Sequence, residues 1–215
     1  MLEKMGDFFN RRLSGYEEHQ LNAIEGASEF YPFTARLLPM REGAKVLDLG
    51  CGTGLELDCY FALNPSAHVT GIDLAEDMLA VLKEKFGGKE LDAVFGSYFD
   101  VPFERDYDCI VSVESLHQFT KEEKTPLYRK SHIALRGGGY FILTDYFAKD
   151  DEEEEFYRQE YNRLKAEQGI ADGEFYHYDM PLTVDHEIAA FTEAGFSSVK
   201  ILKHWGSTYT LKAEK

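Results

Sequence analysis

The sequence predicts an α/β protein in which helices cover both faces of a largely parallel sheet. Short apolar runs alternate with helical patterns along most of the chain, and glycines separate several of these segments. The 215 residues are 44% hydrophobic and 14% aromatic, which is a composition that can bury a substantial core. Consecutive parallel strands need crossover helices, so this alternation places helices on both sides of the sheet.

An N-terminal helical cap is expected over residues 1–40, because two amphipathic patterns precede the first strand. They occupy residues 2–13 and 26–40. The first strand follows at residues 45–50 and ends in a glycine turn, and a helical pattern leaves this turn at residues 54–63.

The central part of the chain continues the alternation of strands and helices. The predicted strands are residues 67–74, 91–96, 107–115 and 138–147, and the helices between them are residues 75–88 and 121–135. The first of these helices is expected to stop at Gly87 and Gly88. The second should begin at Thr120, which forms a capping box with Glu123 three residues later.

The pattern changes after the fifth strand. Residues 148–170 form a charged helical pattern that opens on an acidic run at residues 150–155, a run that suits the start of a helix. A further helix is expected at residues 186–196 and a terminal pair of strands at residues 197–215, turning near Trp205 and Gly206. The sequence therefore predicts one domain, residues 1–215, with a lid-like insertion at about residues 148–185.

Charge and composition exclude several classes of partner. The formal net charge of −16 disfavours binding to a phosphate backbone, so no nucleic-acid partner is expected. The cations of the second central helix, namely Lys121, Lys124, Arg129 and Lys130, are expected to form a solvated helix face. No apolar run can cross a bilayer, no secretory signal is visible, and the three cysteines lack a disulfide or zinc spacing. A cytoplasmic monomer or homodimer without membrane contact is expected.

The glycine loop after the first strand predicts a nucleoside-containing ligand. Gly50 and Gly52 match the first two glycines of the dinucleotide fingerprint, but Leu55 stands where the third is required and Gly54 comes one residue early. Asp73 follows the second strand, where a carboxylate can accept hydrogen bonds from ribose hydroxyls. These residues alone do not distinguish a nicotinamide dinucleotide from S-adenosylmethionine.

The ordered set of motifs resembles the class I S-adenosylmethionine-dependent methyltransferases. The motifs are VLDLGCGTG at residues 46–54, GIDLAEDML at 71–79, the segment from 99 to 119 that ends in SVESLHQF, LRGGGYFIL at 135–143 and FTEAGF at 191–196. The resemblance implies a Rossmann-like sheet of seven strands, mostly parallel, whose last strand is antiparallel. It also implies S-adenosylmethionine as the cofactor and S-adenosylhomocysteine as its product.

The same resemblance implies a set of cofactor contacts. Asp48 would hold the amino-acid end of the cofactor, Asp73 its ribose, and Glu114 its ammonium group. Either Ser97 or Asp100 would contact the adenine. The complete implied set is Asp48, Gly50, Cys51, Gly52, Thr53, Gly54, Asp73, Leu74, Met78, Ser97, Tyr98, Val113 and Glu114.

Candidate catalytic groups follow the fourth and fifth strands or lie in the lid. His117 could act as a general base, because its ordinary pKa is near neutrality. Tyr146 and His177 are further candidates, the latter in the aromatic segment at residues 173–183. No metal is expected, because Asp145 lacks the accompanying acidic residues of metal-using relatives.

Three functions remain compatible with the sequence. The leading hypothesis is methylation of a small-molecule acceptor at oxygen, nitrogen or carbon. The alternatives are methylation of tRNA or protein and a non-catalytic S-adenosylmethionine-binding role. The acidic charge disfavours the tRNA alternative.

Overall fold

A seven-stranded sheet forms the centre of the protein in the computed structural model, which describes residues 1–171 and 173–215. The strands are β1 (Lys45–Leu49), β2 (His68–Asp73), β3 (Glu90–Phe95), β4 (Tyr107–Val113), β5 (Leu135–Tyr146), β6 (Ser198–Trp205) and β7 (Thr208–Glu214). The helices are α1 (Met5–Arg12), α2 (Tyr16–Ala23), α3 (Ala27–Leu37), α4 (Leu55–Leu63), α5 (Glu76–Lys85), α6 (Lys121–Ala134), α7 (Asp151–Gln168) and α8 (Val184–Glu193).

The strand order is β3-β2-β1-β4-β5-β7-β6. Strands β1 to β5 pair in parallel, and β7 lies antiparallel between β5 and β6. The predicted fold class, including the antiparallel last strand, is confirmed. Chain order reverses between β1 and β4, and the carboxyl ends of strands at such a switch point form the usual ligand crevice of an open α/β sheet.

Two apolar layers cover the sheet, one on each face. Residues of α3, α4 and α5 pack on one face, and residues of α6 and α8 pack on the other. Every residue of β4 is buried, as expected for a central parallel strand that is covered on both sides. The continuous apolar runs in the sequence therefore correspond to the middle of the sheet.

Helix α2 and the start of β5 differ from the sequence prediction. Helix α2 buries none of its residues, so it lacks the apolar stripe by which a helix is identified in sequence. Strand β5 begins at Leu135 rather than at residue 138, because Leu135 pairs with Tyr107 before a register shift.

The capping box at the start of α6 is confirmed. The Thr120 hydroxyl accepts a hydrogen bond from the backbone N–H of Glu123, and the Glu123 carboxylate accepts one from the backbone N–H of Thr120 at 2.8 Å.

The solvated cationic face predicted for α6 is wrong for two of its lysines. Lys124 is 1% exposed, and its Nζ lies 2.6 Å from the Glu187 carboxylate of α8. The Lys130 Nζ donates to the backbone carbonyls of Tyr98 and Phe99, at 2.9 and 3.1 Å. Packing of α6 against α8 and against the loop after β3 encloses these side chains. Among the residues that the structure describes, no helix is both long and apolar enough to span a membrane.

Candidate active site

The glycine loop after β1 lies directly against the end of β4. Gly50 and Gly52 have positive φ values of 76° and 49°, a conformation that favours glycine. A Cβ atom on Gly50 would lie 2.1 Å from the Ser115 Oγ, so a side chain cannot fit there. The loop is held to β2 by hydrogen bonds from the N–H groups of Gly50 and Cys51 to the Ile72 carbonyl, at 2.9 and 3.3 Å.

Asp73 connects this loop to the start of α5. Its two carboxylate oxygens accept hydrogen bonds from the N–H groups of Gly52 and Ala75, both at 2.8 Å. Burial raises the pKa of Asp73, and the backbone N–H groups partly oppose this effect. Each oxygen keeps acceptor capacity for a further donor such as a ribose hydroxyl.

An inner cavity opens beside the glycine loop and, including its open mouth, contains about 530 Å³ of space between the protein atoms. Eight residues of the implied cofactor set line it, namely Gly50, Gly52, Asp73, Leu74, Met78, Tyr98, Val113 and Glu114. The other lining residues are Met5, Phe9, Tyr16, Ser115 and Gln118.

Three other residues of the implied set support the loop from behind and do not line the cavity. A Cβ atom on Gly71 would lie 2.7 Å from the Cys51 Sγ, so the Cys51 side chain packs on β2. A Cβ atom on Gly54 would lie 2.6 Å from a methyl group of Leu82, so this glycine permits close packing on α5. Thr53 is 2% exposed. Their implied contacts with a cofactor stay a prediction, and in the structure all three residues pack behind the loop.

Neither proposed adenine contact faces the inner cavity. The Ser97 Oγ accepts a hydrogen bond from the Phe99 N–H at 3.1 Å within a local turn, and Asp100 is exposed. Tyr98 lines the cavity between them, and its hydroxyl lies 3.3 Å from the Ser115 Oγ. Neither Ser97 nor Asp100 lines the inner cavity in this structure, and the choice between them as the adenine contact stays a prediction.

Asp48 lies beneath the glycine loop and does not line the inner cavity. It is 1% exposed, and in the described part of the chain neither carboxylate oxygen has a hydrogen-bond partner. Burial, followed by the neighbouring Glu56 carboxylate, raises the pKa of Asp48. An unsatisfied buried carboxyl group at this position fits a site that receives a cationic group, directly or through water.

An outer cavity of about 1820 Å³, including its open mouth, adjoins the inner one. The candidate catalytic residues His117, Tyr146 and His177 all line it, together with Asp179. Four residues line both cavities and are called here the shared wall: Phe9, Tyr16, Glu114 and Gln118. A group that moves from one ligand to the other must pass this wall.

His117 lies between two carboxylates. Its Nδ1 is 2.6 Å from the Asp145 Oδ1, and its Nε2 is 3.2 Å from the Asp179 Oδ1. Burial opposes the charge on the imidazole, but Asp145 and Asp179 outweigh burial and raise the pKa of His117 well above its ordinary value. Both ring nitrogens therefore face carboxylates, an arrangement that favours the protonated form of the imidazole.

Glu114 stands at the end of β4 in a left-handed conformation, with φ at 50°. Such a conformation is uncommon for a residue with a side chain and often occurs at functional sites. Burial, and after it the Asp145 carboxylate, raises the pKa of Glu114 to about 8. The ligand atoms of Glu114, His117 and Asp145 lie within 4.8 Å of one another, a spacing that could also hold a metal ion.

The segment at residues 173–183 lies against the N-terminal helix and His117. The Met5 N–H donates to the Phe175 carbonyl at 3.0 Å, and the Met180 N–H donates to the His117 carbonyl at 2.8 Å. The His177 ring stacks on Phe8 with a centroid separation of 3.5 Å. The N-terminal segment and this loop therefore form adjoining walls of the outer cavity.

Sequence reasoning did not identify Met5 and Gln118 as site residues, and it included Ser115 only within the range 113–117 after the fourth strand. Ser115 and Gln118 flank the identified His117, but their orientation depends on the 3-10 turn at Leu116–Gln118. Met5 belongs to an amphipathic helix, and sequence analysis assigns the apolar residues of such a helix to the hydrophobic core. No local pattern in the sequence distinguishes a cavity-lining methionine from a buried one.

Comparisons with known proteins give the following similarities. Residues 46–139 match a family model described as a methyltransferase domain. Demethylspheroidene O-methyltransferase of Rhodobacter capsulatus is 35% identical over 115 residues, which are 54% of this chain and 28% of the relative. Carboxy-S-adenosyl-L-methionine synthase of Chromohalobacter salexigens is 30% identical over 174 residues, which are 74% of this chain and 64% of the relative.

Among solved structures, PigF with S-adenosylhomocysteine matches with a TM-score of 0.69 at 20% identity, over 99% of this chain and 63% of PigF. At this identity the match shows a common fold. The chain spans about half or less of the length of several curated relatives that it matches. The matched residues 46–139 include β1, β2 and β4, whose carboxyl ends surround the inner cavity.

Proposed function

Because the chain belongs to the class I S-adenosylmethionine-dependent methyltransferases, we propose that it transfers a methyl group from S-adenosylmethionine to a small-molecule acceptor. The observation that carries this proposal is the pair of adjoining cavities with a shared wall. The inner cavity is lined by eight residues that the family resemblance assigns to the cofactor, and the outer cavity offers a separate, aromatic-lined space for an acceptor.

The residues of the inner cavity fit the cofactor. Asp73 has free acceptor capacity beside the glycine loop for the ribose hydroxyls, and Leu74, Met78 and Tyr98 offer apolar surface for the nucleoside. Asp48 is buried beneath the glycine loop, with its pKa raised by burial and by Glu56, and would reach the amino-acid end of the cofactor directly or through water. When bound, S-adenosylmethionine supplies an electrophilic methyl group on a sulfonium.

The protein's contribution is alignment of the acceptor and exclusion of water. Positioning of two reactants can provide about 7–11 kcal/mol of a reaction barrier. His117, Asp145 and Asp179 form a charged network that fixes the lid segment at the edge of the outer cavity. Because Asp145 and Asp179 favour the protonated form of His117, a positioning role suits this histidine better than that of a general base.

Release of S-adenosylhomocysteine from S-adenosylmethionine tests the proposal. The purified protein is supplied either with dialysable metabolites from a cell extract or with the retained RNA and protein. Turnover with the metabolite fraction is the expected result, and turnover with only the retained fraction would favour a macromolecular acceptor. Calorimetric binding of S-adenosylhomocysteine without turnover in either fraction would favour a non-catalytic role.

Addition of excess EDTA to the active fraction tests whether Glu114, His117 and Asp145, which lie close together, bind a metal ion that turnover requires. Full turnover is expected, because the short contacts of His117 to Asp145 and Asp179 already satisfy both ring nitrogens. Loss of turnover that Mg²⁺ or Zn²⁺ restores would instead show that this group of side chains binds a metal.

A further inference from the structure

Gln118 is a buried polar side chain that the cofactor site does not explain. It is 3% exposed, at the end of the 3-10 turn that follows β4. In the described part of the chain its Oε1 has no hydrogen-bond partner. Buried polar atoms without a partner are rare in folded proteins and often await a ligand.

The position of Gln118 indicates which ligand would satisfy this oxygen. Gln118 belongs to the shared wall, so its side chain borders both cavities. The atom that accepts the methyl group must lie at this border, because it has to approach the cofactor from the outer cavity. An acceptor held here can therefore donate a hydrogen bond to the Gln118 carbonyl oxygen.

We propose that Gln118 Oε1 accepts a hydrogen bond from the N–H or O–H group that is methylated, so that the acceptor is an amine or a hydroxyl compound. The inference rests on the function proposed above. The lone pair of nitrogen or oxygen forms the new bond to carbon, the carbon–sulfur bond breaks with its electron pair on sulfur, and the donor's proton leaves to water.

Carboxylate and carbon acceptors fit this wall less well. A carboxylate has no proton to donate, and in the outer cavity it would approach the carboxyl groups of Glu114 and Asp179. A carbon acceptor would leave the Gln118 oxygen buried and unsatisfied. Tyr16 and Glu114, the polar neighbours in the shared wall, can both accept hydrogen bonds from an amine or hydroxyl group.

Three probes with the same aromatic ring test the proposal by calorimetry. Benzylamine, benzyl alcohol and benzoate are each titrated into protein saturated with S-adenosylhomocysteine. The amine or the alcohol is expected to bind about tenfold more tightly than benzoate, and Gln118→Leu should lower the affinity for the amine or the alcohol while leaving that for benzoate unchanged. Whichever of the two donors binds more tightly identifies the class of acceptor.

The controls separate failure of this inference from failure of the proposed function. Absence of S-adenosylhomocysteine binding to the wild-type protein would contradict the proposed function itself. Gln118→Leu should keep its affinity for S-adenosylhomocysteine within about threefold, which also shows that it folds. Gln20→Leu is the matched control, because Gln20 lines only the outer cavity and also has an unpartnered Oε1 in the described chain.

Two results would overturn the inference. The first concerns the wild-type protein: benzoate binds as tightly as benzylamine and benzyl alcohol, or none of the three probes binds measurably. The second concerns Gln118→Leu: the variant keeps the wild-type preference among the probes, or it loses affinity for S-adenosylhomocysteine alone. Loss of S-adenosylhomocysteine affinity alone would make Gln118 a cofactor contact.

Discussion

Among the individual residues of the site, Asp73 both supports the glycine loop and is available to bind a ligand. Its carboxylate accepts hydrogen bonds from Gly52 and Ala75 and also faces the inner cavity. Asp73→Asn replaces one carboxylate oxygen by an amide NH₂ group. This group cannot accept the hydrogen bond that a backbone N–H now donates to the oxygen. We expect affinity for S-adenosylhomocysteine to fall about 10- to 100-fold, together with a lower melting temperature. Calorimetry and thermal unfolding measure the two effects.

Asp77→Asn is the control for Asp73→Asn, because Asp77 lies exposed on the adjacent helix α5. It removes the same charge four residues away and should leave both quantities unchanged. Wild-type affinity in Asp73→Asn would show that the carboxylate only supports the loop.

Glu114 should make the protein less stable as the pH rises. Its folded-state pKa of about 8 exceeds the ordinary value of about 4.3, so the folded state binds more protons between these values. From pH 5 to 6, where His117 is protonated in both states, this carboxyl lowers the free energy of unfolding by up to about 1.4 kcal/mol per pH unit. Urea unfolding of Glu114→Gln should show a correspondingly smaller slope.

Other buried carboxyl groups with raised pKa values, such as Asp48 and Asp73, contribute to the slope of unfolding free energy against pH in both the wild type and Glu114→Gln. The exposed residue Glu122 provides the control, and Glu122→Gln should keep the wild-type slope. An equal slope in wild type and Glu114→Gln would mean that Glu114 titrates normally.

Single-residue predictions from sequence succeed where a motif fixes the backbone. Gly50, Gly52 and Asp73 are fixed by a strand end and its turn, and all three border the inner cavity. Ser97 and Gln118 depend instead on the shape of a local turn, which sequence spacing does not determine. Ser97, one of two candidates for the adenine contact, does not line the inner cavity, whereas Gln118, which was not identified, does.

The contact between helices α6 and α8 depends on a buried ion pair. Lys124 and Glu187 are both buried, with 2.6 Å between Nζ and Oε2, and the Tyr128 hydroxyl also donates to Glu187. Lys124→Met leaves the Glu187 carboxylate without its cation and should destabilise the protein by about 3–5 kcal/mol in urea unfolding.

Two further variants test the origin of that loss. Adding Glu187→Met to Lys124→Met should recover part of the stability, because the unpaired charge is removed. Lys121→Met breaks the more exposed pair between Lys121 and Glu193 and should cost less than about 1 kcal/mol. A Lys124→Met loss as small as that of Lys121→Met would contradict a requirement for the buried pair.

Secondary elements were predictable wherever burial imposes a period on the sequence. The strands β1, β2, β4 and β5 are continuous apolar runs because both of their faces are covered. Helix α2 packs through few of its residues and carries no such pattern, so it was missed. The pairing of α6 with α8 was equally hidden, because a buried lysine has the same sequence signature as a solvated one.

At the scale of the whole molecule, the cavities are formed by segments distant in sequence. The shared wall combines Phe9 and Tyr16 of the N-terminal segment with Glu114 and Gln118 at the end of β4. The mostly parallel sheet and its antiparallel last strand were predictable from the alternation of strands and helices and from the family resemblance. The way in which the N-terminal helices and residues 173–183 meet over the sheet depends on long-range packing that no local motif encodes.

The N-terminal helices and the sheet should unfold as one unit whose stability depends on the ligand. Trp205, the only tryptophan, ends β6 and packs on Phe30 and Phe33 of α3, and its Nε1 donates to Glu29 at 2.9 Å. Its fluorescence therefore reports on the junction between the cap and the sheet, whereas circular dichroism reports on all helices. Because the shared wall includes residues from both parts, binding in the inner cavity stabilises both.

S-adenosylhomocysteine at 100 times its dissociation constant should add about 2.7 kcal/mol of stability. For a domain of this size, this corresponds to a rise of roughly 5–10 °C in the melting temperature. The two signals should give the same transition without ligand and shift together with it. A fluorescence transition that precedes the loss of helix and ignores the ligand would show that the cap detaches independently, and the shared wall would then form only when the cap is docked.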